Sequence, residues 1–369
     1  MKVLCLDQFS DLGGAQHCLL DLMPAMLQRG WSPRVALPGD GALVQRLAAL
    51  GVPVEAIQLG PYHSGFKTLT DAAQMAIDAR RIARTLSWNA DVIYVNGPRL
   101  LPAVALAKPQ CPVVFHAHSH LTKRYAARLA GWAIRRTNAS VIANCESVAE
   151  ALRKYADVEI VYNGVEDLGE STPAPREAPR VGVIGRIAPE KGQLEFVRAA
   201  RLLPECQFVV YGARMFSDPA YEAQVRREAA GLPIEFAGWS DHIGEAVAEL
   251  DLLVVPSSGL EATTRVILEA FSAGKPVLAA AAGGIPEIVQ DGVNGFLTAS
   301  NSPEALAEGI RRALRESPKR IGGQARRAWE QRFRVSRFQD DICRVLASKV
   351  QNRTAPAKTP TAAASSVAG

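Results

Sequence analysis

Twice along this chain, short runs that are apolar on both faces alternate with longer stretches of helical periodicity. In the first series, strands are expected at Lys2–Leu6, Arg34–Leu37, Asp91–Val95, Pro112–His116, Ser140–Ala143 and Glu159–Tyr162. Helices are expected between them, among others at Ala15–Arg29, Leu69–Leu86, Tyr125–Arg136 and Val148–Tyr155. Strands buried on both faces need helices covering both sides of their sheet, and parallel neighbours need long crossovers. The alternation therefore calls for right-handed βαβ units wound onto a parallel sheet. It pauses at Glu166–Pro179 (EDLGESTPAPREAP), where three prolines and four acidic residues show no apolar periodicity, as in an interdomain linker.

A second series follows at Val181–Ile184, Gln207–Tyr211, Ile234–Phe236, Asp251–Val255 and Pro276–Ala280. The expected organisation is two Rossmann-like α/β domains facing across a cleft, over residues 1–165 and 181–334, with 166–180 joining them. Residues Gly322–Val350 read as strongly helical, and Gln351–Gly369, rich in Ala, Thr, Ser and Pro, as a disordered tail.

Composition narrows the class. With 48% apolar and 21% charged residues, the chain can bury a large core. Its 42 Lys+Arg against 37 Asp+Glu leave a net charge of +5, too mild to point to nucleic acid. No 18-residue apolar run occurs, and Met1–Gln16 has no signal-peptide pattern. Six cysteines without CxxC spacing read as reduced residues of a cytoplasmic protein, not as a disulfide scaffold or zinc ribbon.

Ligands of open α/β folds bind beyond the carboxyl ends of the strands, so the loops there hold the candidates. Gly13-Gly14 opens the first helix; it suits close backbone approach to an anion, or is a plain tight turn. In Gly185–Gly192 (GRIAPEKG), Arg186 and Lys191 could hold a diphosphate, or be two solvated cations. Glu261 lies at a helix entrance and Glu269 inside that helix; both could accept hydrogen bonds from sugar hydroxyls. Otherwise Glu261 is a charge at a helix N-terminus and Glu269 an i,i+4 partner of Arg265. His116-Ala117-His118-Ser119-His120 ends a buried strand. With no carboxylate or cysteine nearby, and no DxD in the chain, a metal is not expected there. Gly283-Gly284-Ile285-Pro286-Glu287 again permits close backbone approach, and Tyr162-Asn163-Gly164-Val165 reads as a turn.

This ordered set resembles the retaining glycosyltransferases of the GT-B fold, family 4, over about residues 1–345. GRIAPEKG, EATTRVILEAFSAGKPVLA and GGIPEIV carry the resemblance, with VYNGVE and the Gly13-Gly14 turn in support. It implies that Arg186 and Lys191 bind the donor diphosphate and carry leaving-group charge without metal or cofactor. It further implies that Glu269 holds the ribose, that Glu261 and His118 contact the donor sugar, and that Gly13 and Gly14 lie against the distal phosphate. Main-chain groups near Gly238 and Trp239 would pack around the base, and a helix at about 335–350 would cross back to the first domain.

Many family members carry Gly-Phe-Gly where this chain has Ala262-Thr263-Thr264; backbone donors of Thr263, Thr264 and Arg265 could still serve the donor. The resemblance implies a nucleotide-sugar donor, UDP ahead of GDP, and a glycan, lipid-linked or small-molecule acceptor. The alternatives are a nucleotide-sugar 2-epimerase on the same fold and a non-enzymatic two-domain solute-binding protein. The charge excess bears on the acceptor. Residues 1–165 hold 17 Lys+Arg against 12 Asp+Glu, while 166–369 hold 25 of each. The amphipathic stretch Leu121–Arg136 alone has five cations and no acid, which suits peripheral contact with an anionic membrane, or else a solvated helix face.

Overall fold

The computed structural model describes residues 1–60, 69–171, 173–215, 218–240 and 242–354. Seven strands form the first sheet: β1 (Lys2–Asp7), β2 (Ser32–Leu37), β3 (Val54–Ala56), β4 (Val92–Asn96), β5 (Val113–Ala117), β6 (Ser140–Ala143) and β7 (Val158–Ile160). Their order is β3-β2-β1-β4-β5-β6-β7, every pair parallel. The second sheet holds β8 (Arg180–Ile184), β9 (Gln207–Tyr211), β10 (Ile234–Gly238), β11 (Leu252–Val255), β12 (Val277–Ala280) and β13 (Phe296–Thr298). It runs β10-β9-β8-β11-β12-β13, also parallel throughout.

Both-face burial is visible residue by residue. Along β1, Leu4 and Leu6 join one apolar cluster while Val3 and Cys5 join another on the opposite face. In β9, Val209 and Tyr211 go to one side and Phe208 and Val210 to the other. Fully burying a side chain such as Leu or Phe contributes roughly 1.5–3 kcal/mol. Strand order reverses at β1/β4 and at β8/β11, which places the two ligand crevices beyond those strands.

The structure departs from the sequence reading near the end. Gly322–Val350 is not one helix but parts of two, Pro318–Arg332 and Val335–Thr354. The break lies where the chain lends its backbone to Val165: Val165 N–H donates to Phe333 O (3.0 Å) and Val335 N–H to Val165 O (3.1 Å). The two crossings between domains thus run side by side. Beyond the break, Phe338, Ile342, Cys343 and Leu346 pack with Val3, Cys5 and Leu19, so the last helix returns to the first domain. It continues to Thr354; the rest of the expected tail, 355–369, lies outside the described residues. Among the described residues, no helix is long and apolar enough to cross a membrane.

Candidate active site

After β8 the chain turns through Gly185–Gly192, and buried Gln193 ties that loop together. Its Nε2 donates to Arg186 O (2.9 Å), and its Oε1 accepts from Ala188 N–H (3.3 Å). Arg186 pairs with Glu190 at 2.5 Å, while Lys191 Nζ reaches both carboxylate oxygens of Glu261, at 3.1 and 2.9 Å. Glu261 comes from the loop after β11, the neighbour of β8, so two sequence candidates 70 residues apart meet in one ion pair. Gly283-Gly284 makes its close backbone approach to Glu261 itself. Gly284 N–H donates to Glu261 O (2.9 Å), and a Cβ at Gly283, where φ is +53°, would lie 1.8 Å from that oxygen.

The helix Arg265–Ser272 begins just beyond. Thr264 holds the N-cap position, but its Oγ1 is buried without a partner, and Thr263 Oγ1 instead accepts from Asn163 Nδ2 (2.9 Å). Arg265 reaches into the first domain: Nη1 donates to Asp21 Oδ2 (2.7 Å) and Gly164 O (3.3 Å), with Cys18 Sγ at 3.7 Å. Its Nε lies 3.6 Å from Glu269 Oε1, so Glu269 sits in the i,i+4 pairing that a plain surface helix would also use. Burial pushes the Glu269 carboxyl up, and the Arg265 charge opposes that shift. At the carboxyl end of β10, Trp239 stands 46% exposed beside Gly238, whose carbonyl accepts from Gly212 N–H (2.7 Å).

The first domain contributes a polar network that sequence reasoning missed. Gly13 caps the helix Gly14–Gln28 without a side-chain partner; a Cβ on Gly14 would meet nothing within 4 Å, whereas one on Gly13 would lie 3.0 Å from Gln16 Oε1. Behind it, buried Asp7 at the end of β1 accepts from Gln16 Nε2 (2.9 and 3.1 Å), Phe9 N–H (2.9 Å) and Asn96 Nδ2 (2.5 Å). Asn96 Nδ2 also donates to Ala15 O (3.1 Å), which leaves its Oδ1 as the acceptor for His118 Nε2–H at 2.6 Å. Burial, then the Arg265 charge, hold His118 down to about 3. The ring is therefore neutral at physiological pH, and its Nδ1 is an acceptor. Burial also pushes the Asp7 carboxyl up, against the hydrogen bonds from Asn96, Phe9 and Gln16.

Of the other two histidines, His116 lies against His118, ring centres 3.9 Å apart, and His120 points elsewhere. His116 Nδ1 meets the Tyr94 hydroxyl (2.5 Å), and His120 Nε2 meets Ser147 Oγ (2.9 Å). Among the described residues, no group of three His, Cys, Asp or Glu is placed to hold a metal ion. Glu287 has an unforeseen place as well. From the second domain it accepts from the Glu146 and Ser147 N–H groups (2.7 and 2.8 Å) at the start of helix Glu146–Glu150, and from the Tyr162 hydroxyl (2.9 Å). The one sequence clue was an acid in GGIPE, since carboxylates suit helix N-termini.

Comparison with known proteins gives the family. The model described as glycosyl transferase 4-like domain matches residues 13–164, and that described as glycosyl transferases group 1 matches residues 178–316. The chain belongs to this glycosyltransferase family. Phosphatidyl-myo-inositol mannosyltransferase of Mycobacterium leprae is 27% identical over 339 residues, covering 85% of this glycosyltransferase and 87% of that protein. D-inositol 3-phosphate glycosyltransferase of Mycolicibacterium gilvum is 32% identical over 207 residues, 49% of this chain; the match spans only 46% of that protein, about half its length. The crystal structure of Anabaena HepE in complex with UDP-glucose superposes with a TM-score of 0.83 at 29% identity, over 94% of this chain and all of that one. Both domains of the GT-B fold are thereby matched.

Proposed function

We propose that this chain transfers a sugar, with retention, from a nucleotide-diphosphate donor to an acceptor hydroxyl, with UDP-sugars ahead of GDP-sugars. The observation that carries the reading is the Lys191–Glu261 pair, assembled from the loops beyond β8 and β11 in the donor-side domain. The HepE structure, in complex with UDP-glucose, supports the choice of base. Breaking the anomeric C–O bond sends its electron pair to the diphosphate. Fixed cations at Arg186 and Lys191 stabilise that charge without reorganising, so no metal is invoked. The first helix N-terminus at Gly13-Gly14 faces the distal phosphate.

Glu261 and the neutral His118 accept hydrogen bonds from the donor sugar, Glu269 from the ribose, and the Thr263–Arg265 backbone donates to sugar or phosphate. Main-chain groups near Gly238 and Trp239 pack around the base. The acceptor oxygen attacks the same face from which the diphosphate leaves, and its proton passes to a leaving phosphate oxygen. The acceptor is a glycan, a lipid-linked species or a small molecule, a lipid-linked one being in line with the name of the mannosyltransferase relative, and the helix Arg124–Thr137 brings the protein to an anionic membrane surface as a peripheral cytoplasmic enzyme. Mass-shifted transfer from a panel of UDP-, GDP-, ADP- and dTDP-sugars tests the reading. Transfer from UDP-sugars with the anomeric configuration kept supports it; epimerised free donor without transfer would favour the epimerase.

A further inference from the structure

Away from the interdomain site, two adjoining cavities of about 350 and 450 Å³ open beside the helix Arg124–Thr137 and share Arg128 and Tyr155. The first adds Arg124 and Lys154 over a floor that includes buried Val148 and Leu152; the second adds Trp132, Arg135 and Arg136. No carboxylate lines either one. Several arginines on other helices have acid partners one turn away, as in Arg226–Glu222, Arg320–Glu316 and Arg337–Asp341. Arg124, Arg128, Arg135, Arg136 and Lys154 pair with no described carboxylate within 4.0 Å.

The wall between the cavities is built, not incidental. Glycine inside a helix costs about 1 kcal/mol relative to alanine. At Gly131 a Cβ would lie 2.2 Å from the Tyr155 ring, so the missing side chain is what lets the ring lie on the helix. Arg135 holds that segment by donating to Lys154 O (3.1 Å), and the Arg135 and Lys154 cations sit 5.1 and 5.0 Å from the Tyr155 ring centre.

Ser119 lines the first cavity, and it is the residue directly after His118, about 3.8 Å away between Cα atoms. We propose that this cavity is a phosphate-binding subsite, with Arg124, Arg128 and Lys154 as its cations, that seats the phosphate of an anionic acceptor while its hydroxyl reaches the site at His118. This rests on the glycosyltransferase reading and names the acceptor's chemistry: a phosphoester, either free in solution or the headgroup of a lipid.

Three measurements on the full chain test it: calorimetric titration with glycerol 3-phosphate, flotation with phosphatidylcholine vesicles with and without one-third phosphatidylglycerol, and titration with UDP. Each is run on wild type, on Arg124→Ala with Arg128→Ala, and on Gly131→Ala, which displaces the Tyr155 ring without changing charge. The expected result is phosphate affinity lowered about tenfold in the double variant, lowered also by Gly131→Ala, with UDP affinity unchanged. Binding of glycerol 3-phosphate places the phosphate on a soluble acceptor as well as on a lipid. Binding of phosphatidylglycerol vesicles alone, lost in both variants, places it on a lipid headgroup. Phosphate and vesicle binding that are absent in wild type, or equal in all three proteins, would overturn the subsite. Loss of UDP binding in wild type would instead strike the donor reading.

Discussion

Lys191 stands in its loop with Glu261 already on its ammonium, whereas His118 in the other domain is neutral, held by Asn96 and through it by Asp7. The donor-side residues are charged and paired with one another: Lys191 with Glu261, Arg186 with Glu190, Arg265 with Glu269. Under the proposed function, an arriving diphosphate would take over cations that already have partners, by an exchange of ion pairs. The first-domain residues are set in advance by hydrogen bonds whose donors and acceptors are fixed by a single tautomer. One side is held by ion pairs, the other by neutral hydrogen bonds.

The sharpest way to break this contrast is to remove the donor-side cations. Arg186→Ala with Lys191→Ala should slow transfer by roughly a thousandfold, read as initial rates of mass-shifted product. A loss below tenfold would place leaving-group stabilisation elsewhere. Arg265 lies at the join of the two sides, and Arg265→Ala leaves the part-buried carboxylates of Asp21 and Glu269 without their cation. It should cost about 3 kcal/mol of stability in urea unfolding, far more than an exposed pair contributes. A double-mutant cycle with Asp21→Asn should then show strong coupling.

On the neutral side, Asn96→Ala frees the His118 ring. We expect kcat to fall about tenfold while KM for the donor and UDP affinity stay within about twofold. A fall in UDP affinity instead would make Asn96 part of the donor site. The smallest effect is in pH dependence. His118 is held at about 3 and His17 at about 4, both below their ordinary 6.5 and both chiefly by burial, so between those values the unfolded chain binds more protons than the folded one. The two histidines therefore contribute stability that is fully present above about 6.5 and lost as pH falls towards 3, against the opposite trend of the raised Asp7, Asp21 and Glu269 carboxyls; His118→Gln should lose its share of the histidine contribution, read as the wild-type-minus-variant difference across that range.

Much of this was legible in the sequence, for specific reasons. Both-face apolar strands and the Pro-rich break mark two wound sheets, and GRIAPEKG and the Glu261–Glu269 segment stand out because they follow strands. Edge strands β3 and β13 escaped because three residues such as Val54-Glu55-Ala56 carry no periodicity. The break at Phe333–Arg334 has no local proline or glycine; it depends on pairing with Val165, a contact no window of sequence can show. Asp7 and Asn96 were passed over because one polar residue ending a buried strand looks like the strand's stop. Of the three histidines, His116 and His118 lie ring to ring at 3.9 Å, while His120, beyond the end of β5 at Ala117, turns to Ser147. The Lys191–Glu261 contact, joining two loops across neighbouring strands, belongs to the fold and not to any spacing.

Under the proposed function, Arg186 and Lys191 hold the diphosphate and not the base. Titrating wild type and the Arg186→Ala, Lys191→Ala double variant with UDP and with uridine separates the two. The account predicts UDP affinity weakened by about a hundredfold or more with uridine affinity unchanged. UDP and uridine weakened equally, or UDP bound as tightly as before, would contradict it.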